Sequence, residues 1–316
     1  MLRFTLQRLL LAIPTLIGVA ILVFFMLRVV PGDVVEVKLR ADGGNVSEET
    51  LQMERKRLGL DKPLLVQYGE FMFQIARGDL GRSLVTNRPI TTDVAAVLPY
   101  TIELTLAALL IGTVIGVPLG VVAAQRRDGF VDWLARIVSL AGLSFPAFVS
   151  GILLLIAFAV ELRWFPVIST VTGTDPLQRL RALALPALNL GLIMVAYVTR
   201  VTRSGMLKAM SDDYVRTARA KGLPRRIVVW RHALRNVLIP IVTVVGLYLG
   251  VLIGNAVLTE IVFNRPGLGK LIVSALNQRD YSLLQGLMVV TALAVVVANI
   301  LTDLTYGLVD PRVKAR

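Results

Sequence analysis

Six stretches of this chain run for at least 18 residues without a charged side chain, and no other property restricts its fold so strongly. They occupy residues 9–27, 104–125, 137–160, 182–199, 236–259 and 281–302. About 20 apolar residues carry a helix across the hydrocarbon core of a bilayer, so each stretch is long enough to span. That core offers no water to satisfy backbone N–H and C=O groups, which makes the helix the expected form. The chain is therefore predicted to be an all-α polytopic membrane protein with six transmembrane helices. A mean hydropathy of +0.72 excludes an ordinary soluble protein. With that class goes nucleic acid as the explanation of a net charge of +13. Cysteine is absent and His232 is the single histidine, so neither a disulfide framework nor a multi-histidine metal cluster is available.

The basic residues set the expected orientation, because Lys and Arg concentrate in short cytoplasmic segments. Arg3 and Arg8 precede or open the first apolar run, Arg126 and Arg127 follow the second, and Arg312, Lys314 and Arg316 close the chain. Between Arg200 and Arg235 there are ten Lys or Arg and only two acids, Asp212 and Asp213. Both termini are thus expected in the cytoplasm. The first run is read as an uncleaved anchor: it is long for a signal peptide, and Pro31-Gly32 follows it in place of a small-residue cleavage site. Three regions result: a transmembrane anchor over 1–30, an extracytoplasmic segment over 31–98, and a core of five transmembrane helices over 99–316. The core includes a basic loop over 204–236.

Residues 31–98 carry nine basic and ten acidic side chains, as a solvated segment would. A helix is expected over 48–60, with Ser47 as its cap. Tyr68, Phe71, Met72 and Ile75 share a face of a second amphipathic helix. That face suits either a cover for the bundle or a docking surface for an extracytoplasmic partner.

The basic loop has an internal layout of its own. Ser211 or Asp212 is placed to cap a short helix, and Gly222 with Pro224 to end it. Within that helix Tyr214, Ala218 and Lys221 share a face, with Val215 and Arg219 on the next. Small Ala218 and Ala220 would permit close approach of a partner, Tyr214 would anchor it, and Arg216, Arg219 and Lys221 would pair with its acids. A second amphipathic run is expected from Ile227, Trp230, Leu234 and Val237. From spacing alone, docking on a protein and binding of anionic lipid fit this loop equally well.

No catalytic constellation is present. Pro266-Gly267-Leu268-Gly269-Lys270 has a superficial likeness to a phosphate-binding loop, but the spacing fails and Leu271 stands where Ser or Thr is required. No cofactor is implied, and energy for uphill movement must come from a partner or an ion gradient. Polar residues in or beside the apolar runs are candidates for a pathway: Asn189, Asn255, Glu260 and Asn299, with Glu103 and Asp303 near helix ends. For the asparagines the competing expectation is helix–helix hydrogen bonding. Gly112, Gly116 and Gly120, and again Gly246, Gly250 and Gly254, recur every four residues and predict close helix packing. Pro118, Pro146 and Pro186 are expected to kink their helices.

TARAKG at 217–222, RHALRN at 231–236 and Ile239-Pro240 together resemble the cytoplasmic "EAA" loop of binding-protein-dependent ABC importer permeases of the dipeptide/oligopeptide subfamily. The opening MLRFTLQRLLLAIPT, Pro31-Gly32-Asp33, Gly78-Asp79-Leu80-Gly81, Ser144-Phe145-Pro146, Glu260-x-x-Phe263-x-x-Pro266-Gly267-Leu268-Gly269 and Asp310-Pro311-Arg312 are similar to that subfamily as well. The likeness covers the whole chain. It departs from the simplest pattern where Arg216-Thr217-Ala218 replace Glu-Ala-Ala, which is usual for the subfamily. The resemblance implies a type I importer permease-like bundle in a bacterial or archaeal plasma membrane, the inner membrane of a Gram-negative cell. It implies a coupling helix formed by Asp213, Tyr214, Arg216, Thr217, Ala218, Arg219, Ala220, Lys221 and Gly222, seated on an ATPase. It further implies a second homologous permease chain in a heterodimer, two ABC ATPase subunits, an extracytoplasmic substrate-binding protein and membrane lipid as partners. The chain itself would be a transport subunit with no enzymatic activity, and would form half of a pathway for di- or oligopeptides. Glutathione, nickel chelates and sugars are alternative cargoes for such scaffolds. An ion-coupled secondary transporter is a further alternative, but repeated halves and buried ionisable pairs are not evident in the sequence.

Overall fold

The computed structural model describes residues 2–29, 47–57, 59–169 and 175–309. The Pro31-Gly32 turn and the Asp310-Pro311-Arg312 motif lie outside the described residues. All elements longer than an isolated bridge are helical among the residues described: α1 Leu2–Val29, α2 Glu48–Arg57, α3 Leu64–Ala76, α4 Ile90–Gln125, α5 Phe130–Ser144, α6 Ala147–Leu154, α7 Pro176–Ala209, α8 Asp213–Ala220, α9 Leu234–Val262, α10 Leu268–Asn277 and α11 Tyr281–Val309.

Among the described residues, five helical segments are long and apolar enough to cross a membrane: Leu6–Met26, Ile90–Gln125, Pro176–Ala209, Arg225–Val262 and Tyr281–Thr305. The apolar run over 137–160, expected as one helix, is divided. Phe145-Pro146 ends α5, and the chain restarts as α6 and runs into a π-helical stretch, Leu155–Glu161. Proline disfavours helical geometry in the residue before it and lacks an N–H to donate, and at Pro146 the helix breaks accordingly. Pro118 and Pro186, by contrast, lie inside the continuous helices α4 and α7. Asp175 starts α7 by accepting the Leu177 N–H at 2.9 Å, with Pro176 at the first helical position.

The chain divides into two compact units, one built on Tyr100–Pro266 and Val295–Arg316 with Met1–Leu6, the other on Gln7–Pro99 and Gly267–Ala294. In the first unit α4, α7 and α9 form the core. Gly112, Gly116 and Gly120 bring α4 against Met194, Val198 and Thr202 of α7 so closely that a Cβ at any of them would overlap these side chains. The Thr199 hydroxyl adds a bond to the Gly116 carbonyl at 3.3 Å. Gly246 meets Thr302 of α11, and Gly250 meets Asn299 and Val295, as the glycine spacing led one to expect. Gly254 does not follow: no atom stands within 4 Å of the position its Cβ would take.

The second unit explains two motifs as structure. Ser47 accepts the Thr50 N–H at 3.3 Å and so caps α2. On α3, Tyr68 and Phe71 lie 5.4 and 5.6 Å from the buried Phe24 ring of α1, so this face packs on α1. Gly78 and Gly81 both take positive φ, +74° and +79°, and the Asp79 carboxylate accepts the Gly81 N–H at 2.9 Å. This turn delivers Leu80 to an apolar cluster with Ile90, Leu268, Leu284 and Leu287. Asp280, buried ahead of α11, accepts the Leu283 N–H at 3.0 Å as a cap, the Ser83 hydroxyl at 2.5 Å and the Leu84 N–H at 3.1 Å.

Candidate functional site

The basic loop folds into the short helix α8, followed by a helical turn at Arg225–Ile227 and a π turn at Val228–Ala233 that leads into α9. Asp212 occupies the N-cap, although its side chain makes no capping bond. The Ser211 hydroxyl instead donates to the Lys208 carbonyl at 2.7 Å. At the other end Gly222 adopts φ +76°. Its N–H reaches the Arg219 carbonyl at 2.9 Å, and the Leu223 N–H reaches that of Ala218 at 3.4 Å. These two bonds are the αL-terminated Schellman closure, which explains why glycine stands here.

The faces of α8 differ from the expected assignment. Val215 and Ala218 are buried in the chain's own core with Met206, Ala209, Val229, Ala233 and Val237, and Tyr214 and Leu223 pack against the same cluster. Ala218 and Tyr214 therefore do not form a partner-facing surface, because the bundle already occupies it. The outward face consists of Asp213, Arg216, Thr217 and Ala220, at helical spacing of three and four residues, flanked by Arg219, Lys221 and Gly222. Arg216 reaches Asp213 at 3.4 Å, but both side chains are almost fully exposed, so this pair contributes little. The Thr217 hydroxyl donates to the Asp213 carbonyl at 2.9 Å.

The run after α8 also departs from its expected periodicity. Leu234 and Val237 are buried, but Ile227 and Trp230 are exposed, and Val228, Val229 and Ala233 take the inner positions. A π turn closes its hydrogen bonds over five residues in place of four, so the buried stripe slips by one position. Arg225 bridges this segment to α4 by donating to the Gln125 carbonyl at 3.2 Å, the last residue of that helix.

The pathway candidates fall into different environments. Asn189 is fully buried, donates to the Ala147 carbonyl at 3.0 Å and accepts the Ser150 hydroxyl at 2.7 Å, so it ties α7 to α6. Asn255 is half-buried, with Thr259 bonded to its carbonyl at 3.2 Å, and Asn299 is exposed beside Gly250. Glu260 is fully buried at the end of α9 and accepts the Thr101 hydroxyl at 2.6 Å. It anchors a cluster whose other members are Glu103 and Arg265, with Arg265 only 1% exposed and 2.8 Å from Glu103. Arg265 was not visible as a site residue in the sequence. Only the Glu260-to-Pro266 motif placed beside Glu103 by the fold brings it into view. Phe263 of the same motif is buried against Ala159 and Leu185.

A further buried acid, Asp132 of α5, also escaped the sequence reading. Its carboxylate receives Arg203 of α7 through two bonds and Arg136 at 2.5 Å. The Arg203 hydrogen bonds, opposed by burial and assisted by Arg136, hold the carboxyl well below the usual carboxylate range. The only sequence signal was the spacing of four between Asp132 and Arg136.

Comparison with known proteins gives a consistent picture. Residues 116–315 match the family described as binding-protein-dependent transport system inner membrane component. Residues 1–105 match the corresponding N-terminal family of such membrane components. The chain is 38% identical to the dipeptide transport system permease protein of Alkalihalophilus pseudofirmus, covering 99% of this chain and 100% of that protein. It is 42% identical to the di/tripeptide transport system permease protein of Pseudomonas aeruginosa and 38% identical to the glutathione transport system permease protein of Pectobacterium atrosepticum, each over 99% of both chains. In fold it is similar to a chain of the MetNI methionine ABC transporter in an inward-facing conformation, with a TM-score of 0.57 at 17% identity, over 69% of this chain and 96% of that one.

Proposed function

The chain belongs to the family of binding-protein-dependent transport system inner membrane components, and from that membership we propose that it is the transmembrane permease subunit of an ATP-driven importer, forming half of the path for di- and oligopeptides. Peptide cargo is favoured by the full-length similarity to dipeptide and di/tripeptide permeases. The observation that carries the mechanism is the two-faced helix α8. Its inner face is built into the core formed by α4, α7 and α9, while Arg216, Thr217, Ala220 and Lys221 point outward. A push on the outer face therefore acts on three transmembrane helices at once. The outer face is basic and small, suited to seat on an acidic groove of an ATPase subunit. Cargo arrives from an extracytoplasmic binding protein, and a second permease chain completes the path.

Reconstitution tests this reading directly. The chain, its companion permease and the ATPase subunits are placed in vesicles with the binding protein, and uptake of labelled dipeptides is followed with ATP inside or absent. Uptake is expected only with ATP and all subunits, and glutathione is expected to compete poorly with dipeptides. Uptake driven by an ion gradient without the ATPase would overturn the assignment. Single cysteines at Arg127, Lys221 and Gln278 report orientation in intact cells: an impermeant thiol reagent is expected to label only the Gln278 position. Labelling at Lys221 would place α8 on the wrong side for an ATPase.

A further inference from the structure

We propose that the cleft between α5 and α7 binds the phosphate of an anionic glycerophospholipid. The cleft has a volume of about 340 Å³, and Arg136, Ser139, Leu140, Arg200, Arg203 and Ser204 line it. Asp132 lies buried behind it and fixes the guanidiniums of Arg203 and Arg136. Arg200 has no acidic partner among the described residues. Three guanidiniums thus stand against one buried carboxylate. Asp128, which reaches Arg136 at 3.1 Å, is offset by Arg127 at 3.3 Å. The net positive charge, the fork-shaped donors and the two serine hydroxyls fit a phosphate diester.

A second feature selects lipid over a free anion. Leu140 belongs to both the cleft and an exposed apolar stripe on α5, where Trp133, Ile137 and Leu140 are 56%, 41% and 60% exposed at helical spacing. An acyl chain would lie along this stripe while the headgroup stays at the arginines. Phe130 and Trp133 stack at the start of the helix with ring centroids 6.0 Å apart, as aromatic side chains do at the level of lipid headgroups. A basic pocket set against a membrane-spanning helix, here α7, holds such headgroups by charge pairing.

Native mass spectrometry of the full chain in detergent tests the assignment, with phosphatidylglycerol and phosphatidylcholine of identical acyl chains as competing probes. The site is independent of the cargo, since neither ATP nor substrate enters the measurement. The parent is expected to retain phosphatidylglycerol preferentially. Arg200→Gln is expected to reduce that preference roughly fivefold, the equivalent of about 1 kcal/mol for one basic residue near an anionic lipid. Arg200→Lys is expected to keep most of it, and Arg200 is exposed enough that neither change should unfold the chain. Equal retention of the two lipids by the parent, or an unchanged preference in Arg200→Gln, would overturn the proposal. So would displacement of the lipid by inorganic phosphate at equal concentration, which would identify a free-anion site. Disulfide capture of Leu140→Cys by a cysteine in a second permease chain would show that protein covers the stripe, and would equally reject lipid.

Discussion

The N–H of Leu223 closes back onto the carbonyl of Ala218 at 3.4 Å, and this bond joins the end of α8 to a residue whose side chain is buried in the bundle. The geometry of the exposed basic face is thereby referred to the transmembrane core. Gly222, between them, carries the left-handed turn.

Gly222→Val is expected to strain this turn by about 1 kcal/mol or more, although a Cβ there would meet no neighbouring atom. Expression and membrane insertion should match the parent. Co-purification of the ATPase and substrate-stimulated ATP hydrolysis should fall, and their retention would separate α8 from coupling.

Ala220→Trp and Ala218→Trp are expected to fail for different reasons. Ala220 is exposed, so its variant should fold normally and lose ATPase association, measured by co-purification. Ala218 is buried, so a tryptophan overpacks the core at a cost of about 1–3 kcal/mol and should lower the thermal midpoint of the chain itself.

Gly246→Ala and Gly254→Ala form a matched pair on one helix. At Gly246 a Cβ would overlap Thr302, whose hydroxyl bonds the Gly246 carbonyl at 3.1 Å, and a loss of about 1–3 kcal/mol is expected. At Gly254 the space is open, and the change should be neutral or stabilising by up to about 1 kcal/mol through helix propensity. Thermal unfolding in detergent reads both.

Asp132 makes stability depend on acid. Its folded carboxyl titrates below its unfolded value, chiefly because of Arg203. The stabilisation is therefore fully present above the ordinary aspartate pKa near about 4 and is lost as pH falls toward the folded value. The thermal midpoint of the parent should begin to decline below about pH 5 and fall more steeply toward about pH 3 and below, the loss continuing to the folded value. Asp132→Asn should start lower and show a shallower slope, and an identical slope would exclude this linkage.

Much of the fold was legible because its signals are local. Charge-free length marks the spans at 104–125, 182–199, 236–259 and 281–302, and glycine spacing on α4 marks a packing face that α7 does occupy. Gly222 was legible as a helix end for the same reason: a left-handed residue is a property of three or four consecutive positions. The membrane class and the exposed charge of α8 follow from residue type alone.

Other features depended on what residues distant in the chain bring alongside. Which side of α8 is free was decided by Met206, Ala209 and Val237 filling the side of Ala218, a fact that periodicity within eight residues does not contain. The π turn before α9 moved Ile227 and Trp230 outward, because one extra residue per turn changes phase without changing composition. Asp132 with Arg203, 71 residues apart, and Thr101 with Glu260, 159 apart, are partnerships made only when α4, α5, α7 and α9 pack together. Hydrophobic length and backbone preference are encoded residue by residue, whereas burial and pairing of charge are properties of the assembled helices. Sequence by itself therefore determined that the chain is of the membrane-spanning class and carries a short basic helix between two apolar segments. Only tertiary structure decided which residues of that helix the bundle leaves exposed.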